Sequence, residues 1–371
     1  MNVEYRQLQP YQRKVLDAVI KDGNYFVKGE AGTGKSIVMA HAVSQYLALH
    51  KDAKVIALTY TNALVSALKA DLSRRKIDVM TFHKFVKLPK SLHWDCIFVD
   101  EVQDLAVSWA ESIRARGDKF LLFGDFGQTL YDNAGNELVT EECLCDLFSV
   151  ELKLELNVDC RLPLNGQKFV KAIFKDRNLK AGVLRTMANT EITLFNGRDL
   201  ADETAYAIER AKMDARPNEP SAVIFESKRY ILHFLHSVDP QLDGHKINLR
   251  SEEVNDILRK HNIPYRFLGN GVGDMEESKS RALTYVMTWH SAKGLSFKTV
   301  VLPRLGESAC RPNPFYVALT RFTRCLVITY SSMNDQIEKA LDCQFVRLLR
   351  RDPVSQRAVA VEKGALQQKL F

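Results

Sequence analysis

The chain is expected to be α/β, with parallel sheets flanked by helices, and three features predict this. Short, continuously apolar runs alternate with helix-patterned stretches, which is how strands buried on both faces read. One such run, Tyr25-Phe26-Val27, leads into Gly29-Glu30-Ala31-Gly32-Thr33-Gly34-Lys35-Ser36 and then a helical stretch over residues 37–49. Another, Cys96-Ile97-Phe98-Val99, runs straight into Asp100-Glu101. In folds of this class ligands sit at the carboxyl ends of the strands, so both polar segments are placed for one crevice.

The first segment reads G-x-x-x-x-G-K-S, the phosphate-binding loop of an NTPase. Its glycines allow close backbone approach, and the N–H groups of the loop and the following helix end attract phosphate. Gly29, Glu30, Ala31, Gly32, Thr33, Gly34, Lys35 and Ser36 are the candidate ATP-binding residues. Lys35 is expected to reach the β- and γ-phosphates, and Ser36 to ligate Mg2+. Asp100 is placed to hold Mg2+ through water, and Glu101 to orient or deprotonate the attacking water. The acid pair follows the loop by roughly 65 residues, a spacing suited to two strands of one sheet.

Further strands are expected over residues 54–58, 78–80 and 119–123, with a helix over 63–73. A second α/β unit is expected to begin near residue 150, where Glu151-Leu152-Lys153-Leu154-Glu155-Leu156 alternates. Its strands are expected over 191–195, 222–225, 299–302 and 326–330, and its helices over 166–174, 200–213, 229–237 and 252–261. Domain bounds of 1–150 and 151–351 follow. The tail, 352–371, is polar, basic and weakly patterned, which leaves a helix, an arm and disorder all open.

Composition restricts the class. The 371 residues suffice for two ordinary cores, and 46% apolar with 26% charged residues is a soluble globular balance. The formal net charge of +7 is compatible with a nucleic-acid partner without requiring one. No apolar run approaches a membrane span and the N-terminus lacks a signal peptide's regions, so a cytoplasmic protein is expected. The seven cysteines are scattered with no C-x-x-C pair. Reduced thiols are expected, and neither zinc nor an iron–sulfur cluster.

Val99-Asp100-Glu101-Val102-Gln103-Asp104, taken with the phosphate loop, resembles the superfamily 1 DNA helicases of the UvrD/Rep type. Further segments resemble that family in order. Gln12, in Leu8-Gln9-Pro10-Tyr11-Gln12, matches its adenine-reading glutamine. Leu58-Thr59-Tyr60-Thr61-Asn62 resembles motif Ia, Thr81-Phe82-His83 motif Ib, and Gly124-Asp125-Phe126-Gly127-Gln128-Thr129-Leu130-Tyr131 motif III. Arg161 resembles the motif IV arginine. Thr288-Trp289-His290-Ser291-Ala292-Lys293-Gly294 resembles motif V, and Val317-Ala318-Leu319-Thr320-Arg321 motif VI.

The resemblance implies two RecA-like P-loop NTPase domains with ATP between them. Lys35, Asp100, Glu101 and Gln128 would come from the first, and arginine fingers Arg161 and Arg321 from the second; either arginine could instead be a surface ion-pair partner. It implies single-stranded DNA as partner, RNA not being separated from DNA, and 3′→5′ movement. Thr59, Tyr60, Asn62, Thr81, His83, Thr288, His290 and Lys293 are the implied nucleic-acid residues. Tyr60 is equally readable as a base-stacking residue or as a strand-end residue packing on the sheet.

Departures from the family are specific. Only residues 84–98 separate Thr-Phe-His from the Val-Asp-Glu strand, and only 270–286 separate Ile263-Pro264-Tyr265-Arg266-Phe267-Leu268-Gly269 from motif V. Neither gap holds the family's duplex-engaging 1B and 2B insertions. The base-stacking Trp of motif III is Asn133 here and the following Arg is Ala134. Cys160 stands where motif IV has an aromatic on the adenine, and Ser296 where motif V has Glu. A protein partner supplying the missing surfaces is therefore expected. Three functions remain in view: an ATP-driven strand motor, an ATPase that switches an associated effector such as a nuclease, and a P-loop enzyme with no nucleic-acid role.

Overall fold

Apolar runs of five to eight residues, too short for stable helices, form strands here and leave alternate side chains on opposite sheet faces. The computed structural model describes Tyr5 and residues 8–72, 77–128, 137–158, 161–174, 190–239, Leu242, 247–269 and 271–362. Thr129 to Gly135 of the expected motif III, Cys160, Asn270 and the end of the tail lie outside the described residues. The chain divides into two compact units, Met1–Cys160 and Arg161–Phe371.

In the first unit α1 (Pro10–Val19), β1 (Tyr25–Gly29), α2 (Lys35–Leu49), β2 (Val55–Thr59), α3 (Asn62–Asp71), β3 (Asp78–Thr81), the single turn α4 (Phe82–Phe85), β4 (Trp94–Val99), α5 (Val107–Arg114), β5 (Gly117–Gly124), α6 (Glu141–Leu147) and β6 (Leu152–Leu156) follow in order. The sheet runs β3-β2-β4-β5-β1-β6 and every pairing is parallel. Pleat alternation divides the apolar residues between two cores. Val27, Ala57, Phe98 and Phe123 join Val38, Val43 and Leu68 on one face. Phe26, Ile56, Val99 and Leu122 join Phe85, Ala110 and Leu144 on the other. Full burial of each large side chain stabilises by about 1.5–3 kcal/mol. The strand Leu152–Leu156, expected to open the second unit, instead pairs with β1 as an edge of this sheet.

The second unit comprises α7 (Leu164–Ile173), β7 (Glu191–Asn196), α8 (Leu200–Asp214), β8 (Ser221–Phe225), α9 (Lys228–Val238), α10 (Glu253–Lys260), β9 (Tyr265–Phe267), β10 (Thr284–Thr288), β11 (Phe297–Leu302), α11 (Pro312–Leu319), β12 (Phe322–Tyr330), α12 (Asp335–Leu341), β13 (Arg347–Arg351) and β14 (Ala358–Ala360). Its order is β14-β13-β7-β12-β11-β8-β10-β9, parallel except for the terminal hairpin β13–β14. Part of the tail left open by the sequence is thus a strand. Arg351 anchors this end of the sheet, donating from Nε to Asp202 at 2.8 Å. The α/β class with helix-flanked parallel sheets is what both units show. No helix among the described residues is long and apolar enough to cross a membrane.

Strand β9 is held by charge. Arg266 is buried, yet its guanidinium reaches Glu277 twice, at 2.8 and 2.5 Å, and donates to the carbonyls of Ile263 and Tyr265. Arg259 and Arg281 also reach Glu277. The short stretch between β9 and β10 is closed by this cluster. Hydrogen bonding from Arg266, with Arg259 beside it, pulls the Glu277 carboxyl down to about 2 from 4.5. A depressed carboxyl stabilises the fold above its unfolded value and loses that contribution as pH falls through its folded value. Glu277→Gln is therefore expected to lower stability by about 2–3 kcal/mol at pH 7. Urea denaturation checks this: the difference from wild type should shrink as pH falls from 4.5 toward 2.

Candidate nucleotide site and nucleic-acid face

Strand β1 ends at Gly29, and the chain turns through Gly32 (φ 86°) and Gly34 (φ 88°) into α2. Both glycines occupy the left-handed region that side chains disfavour. At Gly34 a Cβ would also collide with the Gln12 amide. That amide donates to the Thr33 carbonyl at 3.1 Å, and Gln12 Oε1 accepts from the Gln9 N–H at 3.0 Å. Gln12 thus lies against the loop. Lys35 folds back over the loop: its Nζ donates to the carbonyls of Gly29 at 2.5 Å and Glu30 at 3.3 Å. Thr33 Oγ1 donates to Glu30 O at 2.8 Å and closes the turn. The first-turn N–H groups of α2 lack intrahelical acceptors and face the loop opening, where phosphate oxygens would satisfy them.

Two strands away, β4 delivers Asp100 and Glu101 at its carboxyl end. The Ser36 hydroxyl donates to Asp100 Oδ2 at 2.8 Å, joining the phosphate loop to the acid pair. Asp100 Oδ1 accepts from the Glu101 N–H at 3.0 Å. Burial and the neighbouring Glu101 carboxylate push Asp100 up; Lys35, Ser36 and the Glu101 N–H pull against them. A hydroxyl and a carboxylate are hard oxygen donors suited to Mg2+, which is usually held by one or two protein groups with waters and substrate phosphates. The residues fit that ion, whereas no group of three or more His, Cys, Asp or Glu among the described residues could cage a metal. The described cysteines are free thiols.

Glu101 adopts a left-handed backbone (φ 58°), unusual for a residue with a side chain. Buried Gln103 holds it there. Gln103 Nε2 donates to Glu101 Oε2 at 2.6 Å, and Gln103 Oε1 accepts from the Asp125 N–H at 2.9 Å. Gly124 leaves room for this bridge, since a Cβ there would lie 2.7 Å from Gln103 Oε1. Asp125 Oδ1 in turn accepts from the Gly127 N–H at 3.0 Å. The acid strand and the Gly124-Asp125 segment are thereby linked, and Gln128 ends the short 3-10 turn that follows. The motif contained Gln103, but its role depends on the Glu101 backbone, which residue spacing does not reveal.

Strands β2 and β3 bring their residues to the same end of the sheet. Thr59 is buried, Tyr60 half-buried, and Asn62 opens α3. Thr81 accepts from the Lys84 N–H and caps α4, which exposes His83. Tyr60 lies edge-on to Phe82 and His83, with centroids 6.2 and 6.3 Å away, and Trp109 of α5 lies 4.4 Å from His83. Tyr60 packs against the core, as the strand-end alternative expects, and also meets His83 edge-on. Trp109 was not singled out by any motif.

In the second unit Arg161 donates to the Thr320 carbonyl at 3.2 Å, so the two expected finger positions are neighbours. Arg321 is 1% exposed. Its guanidinium donates to Val317 O at 2.7 Å, Leu295 O at 3.3 Å and Thr320 Oγ1 at 2.8 Å. It is not a surface ion-pair partner, and reaching a phosphate would require it to exchange some of these bonds. Thr288 ends β10, and its hydroxyl pairs with Ser291 Oγ at 3.0 Å. His290 is half-buried, its pKa lowered by burial and by Arg311; Lys293 is buried.

Gln103→Ala would leave Glu101 and Asp125 one buried partner short each. A loss of about 1–3 kcal/mol is expected by chemical denaturation.

A family model described as an AAA domain matches residues 12–134, and one described as the viral superfamily 1 RNA helicase core domain matches residues 220–329. No curated protein matches the chain. Similar solved structures include arterivirus nonstructural protein 10 (helicase), alone and in complex with DNA, and the PRRSV helicase. Identities are 16%, 17% and 13%, with TM-scores of 0.46, 0.46 and 0.47. The matches cover 89%, 89% and 96% of this chain but only 63%, 65% and 65% of those helicases. The UvrD/Rep type is not singled out by these matches. With the two family models falling in order on the first and second units, the chain carries a superfamily 1 helicase core.

Proposed function

We propose that the chain is an ATP-driven motor of the UvrD/Rep kind that hydrolyses ATP and moves on single-stranded DNA. The observation that carries the reading is the 2.8 Å bond from Ser36 to Asp100, with Glu101 fixed beside it by Gln103. That arrangement is the division of labour hydrolysis of a phosphoanhydride needs. Lys35 exchanges its loop carbonyls for the β- and γ-phosphate oxygens. Ser36 and Asp100 would hold Mg2+, which would supply neutralisation of phosphate charge when bound. Glu101 orients the attacking water and takes up its proton. Gln128 senses the γ-phosphate, and Arg161 and Arg321 supply positive charge from the second unit. The strand touches Thr59, Tyr60, Asn62, Thr81 and His83 in the first unit, and Thr288, His290 and Lys293 in the second. The viral RNA helicase model on residues 220–329 keeps RNA open as the strand.

A second reading has one specific observation behind it. Residues 84–98 make only the end of α4, a turn and most of β4, and the β9–β10 connection is closed by the Arg266–Glu277 cluster. Neither place holds a duplex-engaging insertion. An ATPase that switches a partner effector, for instance a nuclease, without unwinding on its own fits that form.

Lys35→Ala and Glu101→Gln are each expected to lower ATP turnover by at least about 100-fold. Steady-state hydrolysis with single-stranded DNA of increasing length separates the two readings. Stimulation that rises with length supports a motor; stimulation independent of length supports the switch. Turnover surviving both substitutions overturns the site assignment.

A further inference from the structure

Three tryptophans occur in the chain, and they are not equivalent. Trp94 and Trp289 are 3% and 2% exposed, whereas Trp109 is only half-buried. Trp109 stands on the first half of α5, and its ring meets His83 edge-on at 4.4 Å and 65°. His83 in turn meets Tyr60 at 6.3 Å. These three rings form a row beside the carboxyl ends of β2 and β3, continued inward by Phe82. Burial and Lys87 lower the His83 pKa, so the middle ring is a neutral heteroaromatic at neutral pH.

The row is bordered by positive charge. Lys84 follows His83 directly, Lys87 acts on His83 electrostatically, and both are exposed. Neither has a carboxylate within ion-pair distance among the described residues. Half-exposed aromatic rings next to unneutralised lysines are what a single strand requires: π-faces for bases and cations for the backbone. A protein ligand with an acidic, apolar segment would use the same charges but gain nothing from ring stacking.

We propose that Trp109 is a base-stacking residue of the first unit, with Lys84 and Lys87 contacting the strand's phosphates. This rests on the strand-binding reading above and adds a platform to a chain whose motif III carries Asn133 where the family has its stacking Trp. The strand enters with one base against the indole and its backbone along the lysines.

The test is intrinsic fluorescence of the whole chain titrated with oligothymidylate or oligouridylate, alongside anisotropy of the same labelled oligonucleotides. Binding should quench the emission in step with the anisotropy change, since Trp94 and Trp289 are shielded. Trp109→Phe should abolish most of the quench while keeping an aromatic ring in place. Trp109→Leu should weaken binding about 5- to 100-fold, the range for one stacked base. Lys84→Gln with Lys87→Gln should lower the slope of log affinity against log salt by about 1 to 2. Binding without quenching, or an unchanged quench in Trp109→Phe, overturns the assignment of Trp109 alone. No binding of either oligonucleotide at low salt overturns the strand-binding reading and this assignment with it.

Discussion

The phosphate-loop edge of the first unit is organised around a buried carboxylate with a second acid beside it. Asp100 sits at the end of β4 at 1% exposure with Glu101 next to it, an arrangement that desolvation and like charge both oppose. Lys35, the Ser36 hydroxyl and the Glu101 N–H make it tolerable, and each has consequences for the rest of the structure. Ser36 can reach Asp100 only because β1 and β4 flank β5 in one parallel sheet, which sets loop and acid at the same edge. Lys35 and Ser36 open α2 directly after Gly34, which takes a left-handed conformation that side chains disfavour and leaves no room for a Cβ against Gln12. The sheet order, the glycines and the helix start are conditions for the one contact between Ser36 and Asp100.

The same constraint explains why Glu101 is fixed from behind. Two neighbouring carboxylates repel, so Glu101 would relax away from Asp100 if nothing held it. Gln103 is neutral, buried and bidentate, so it orients Glu101 without adding charge. Its other end reads the Asp125 backbone. Displacement of the segment after β5 would therefore be felt at Glu101, a short physical route between the Gly124-Asp125 segment and the acid pair.

Much of this edge was legible in the sequence, because steric and electrostatic demands there leave few residue choices. Gly32, Gly34, Lys35, Ser36, Asp100 and Glu101 announce themselves by type and spacing, and the strands at 25–27, 54–58 and 96–99 by apolar runs buried on both faces. Legibility failed where tertiary pairing decides. Leu152–Leu156 alternates as any edge strand would, and only pairing with β1 places it in the first sheet. Strand β9 is three residues with an arginine at its centre, a pattern that reads as loop until Glu277 neutralises it. The terminal hairpin is arginine-rich and short, and its Arg351 is held by Asp202 from nearly one hundred and fifty residues away. Trp109 carried no motif, since its significance lies in a ring contact made across two elements.

The same principle bears on the compact form of the core. At the two places where the UvrD/Rep helicases it resembles carry insertions, this chain keeps local clusters: a lysine-bordered turn after β3, and a carboxylate shared by three arginines after β9. The two are chemically unlike. The arginines around Glu277 are neutralised within the fold, so that closure is structural and offers little to a polyanion. Among the described residues, the lysines after His83 have no carboxylate within ion-pair distance, and they border aromatic rings, so that closure remains attractive to one. If a strand is gripped without the inserted domains, the electrostatics favour the first unit's turn for the grip, and leave the second unit's to hold the sheet together.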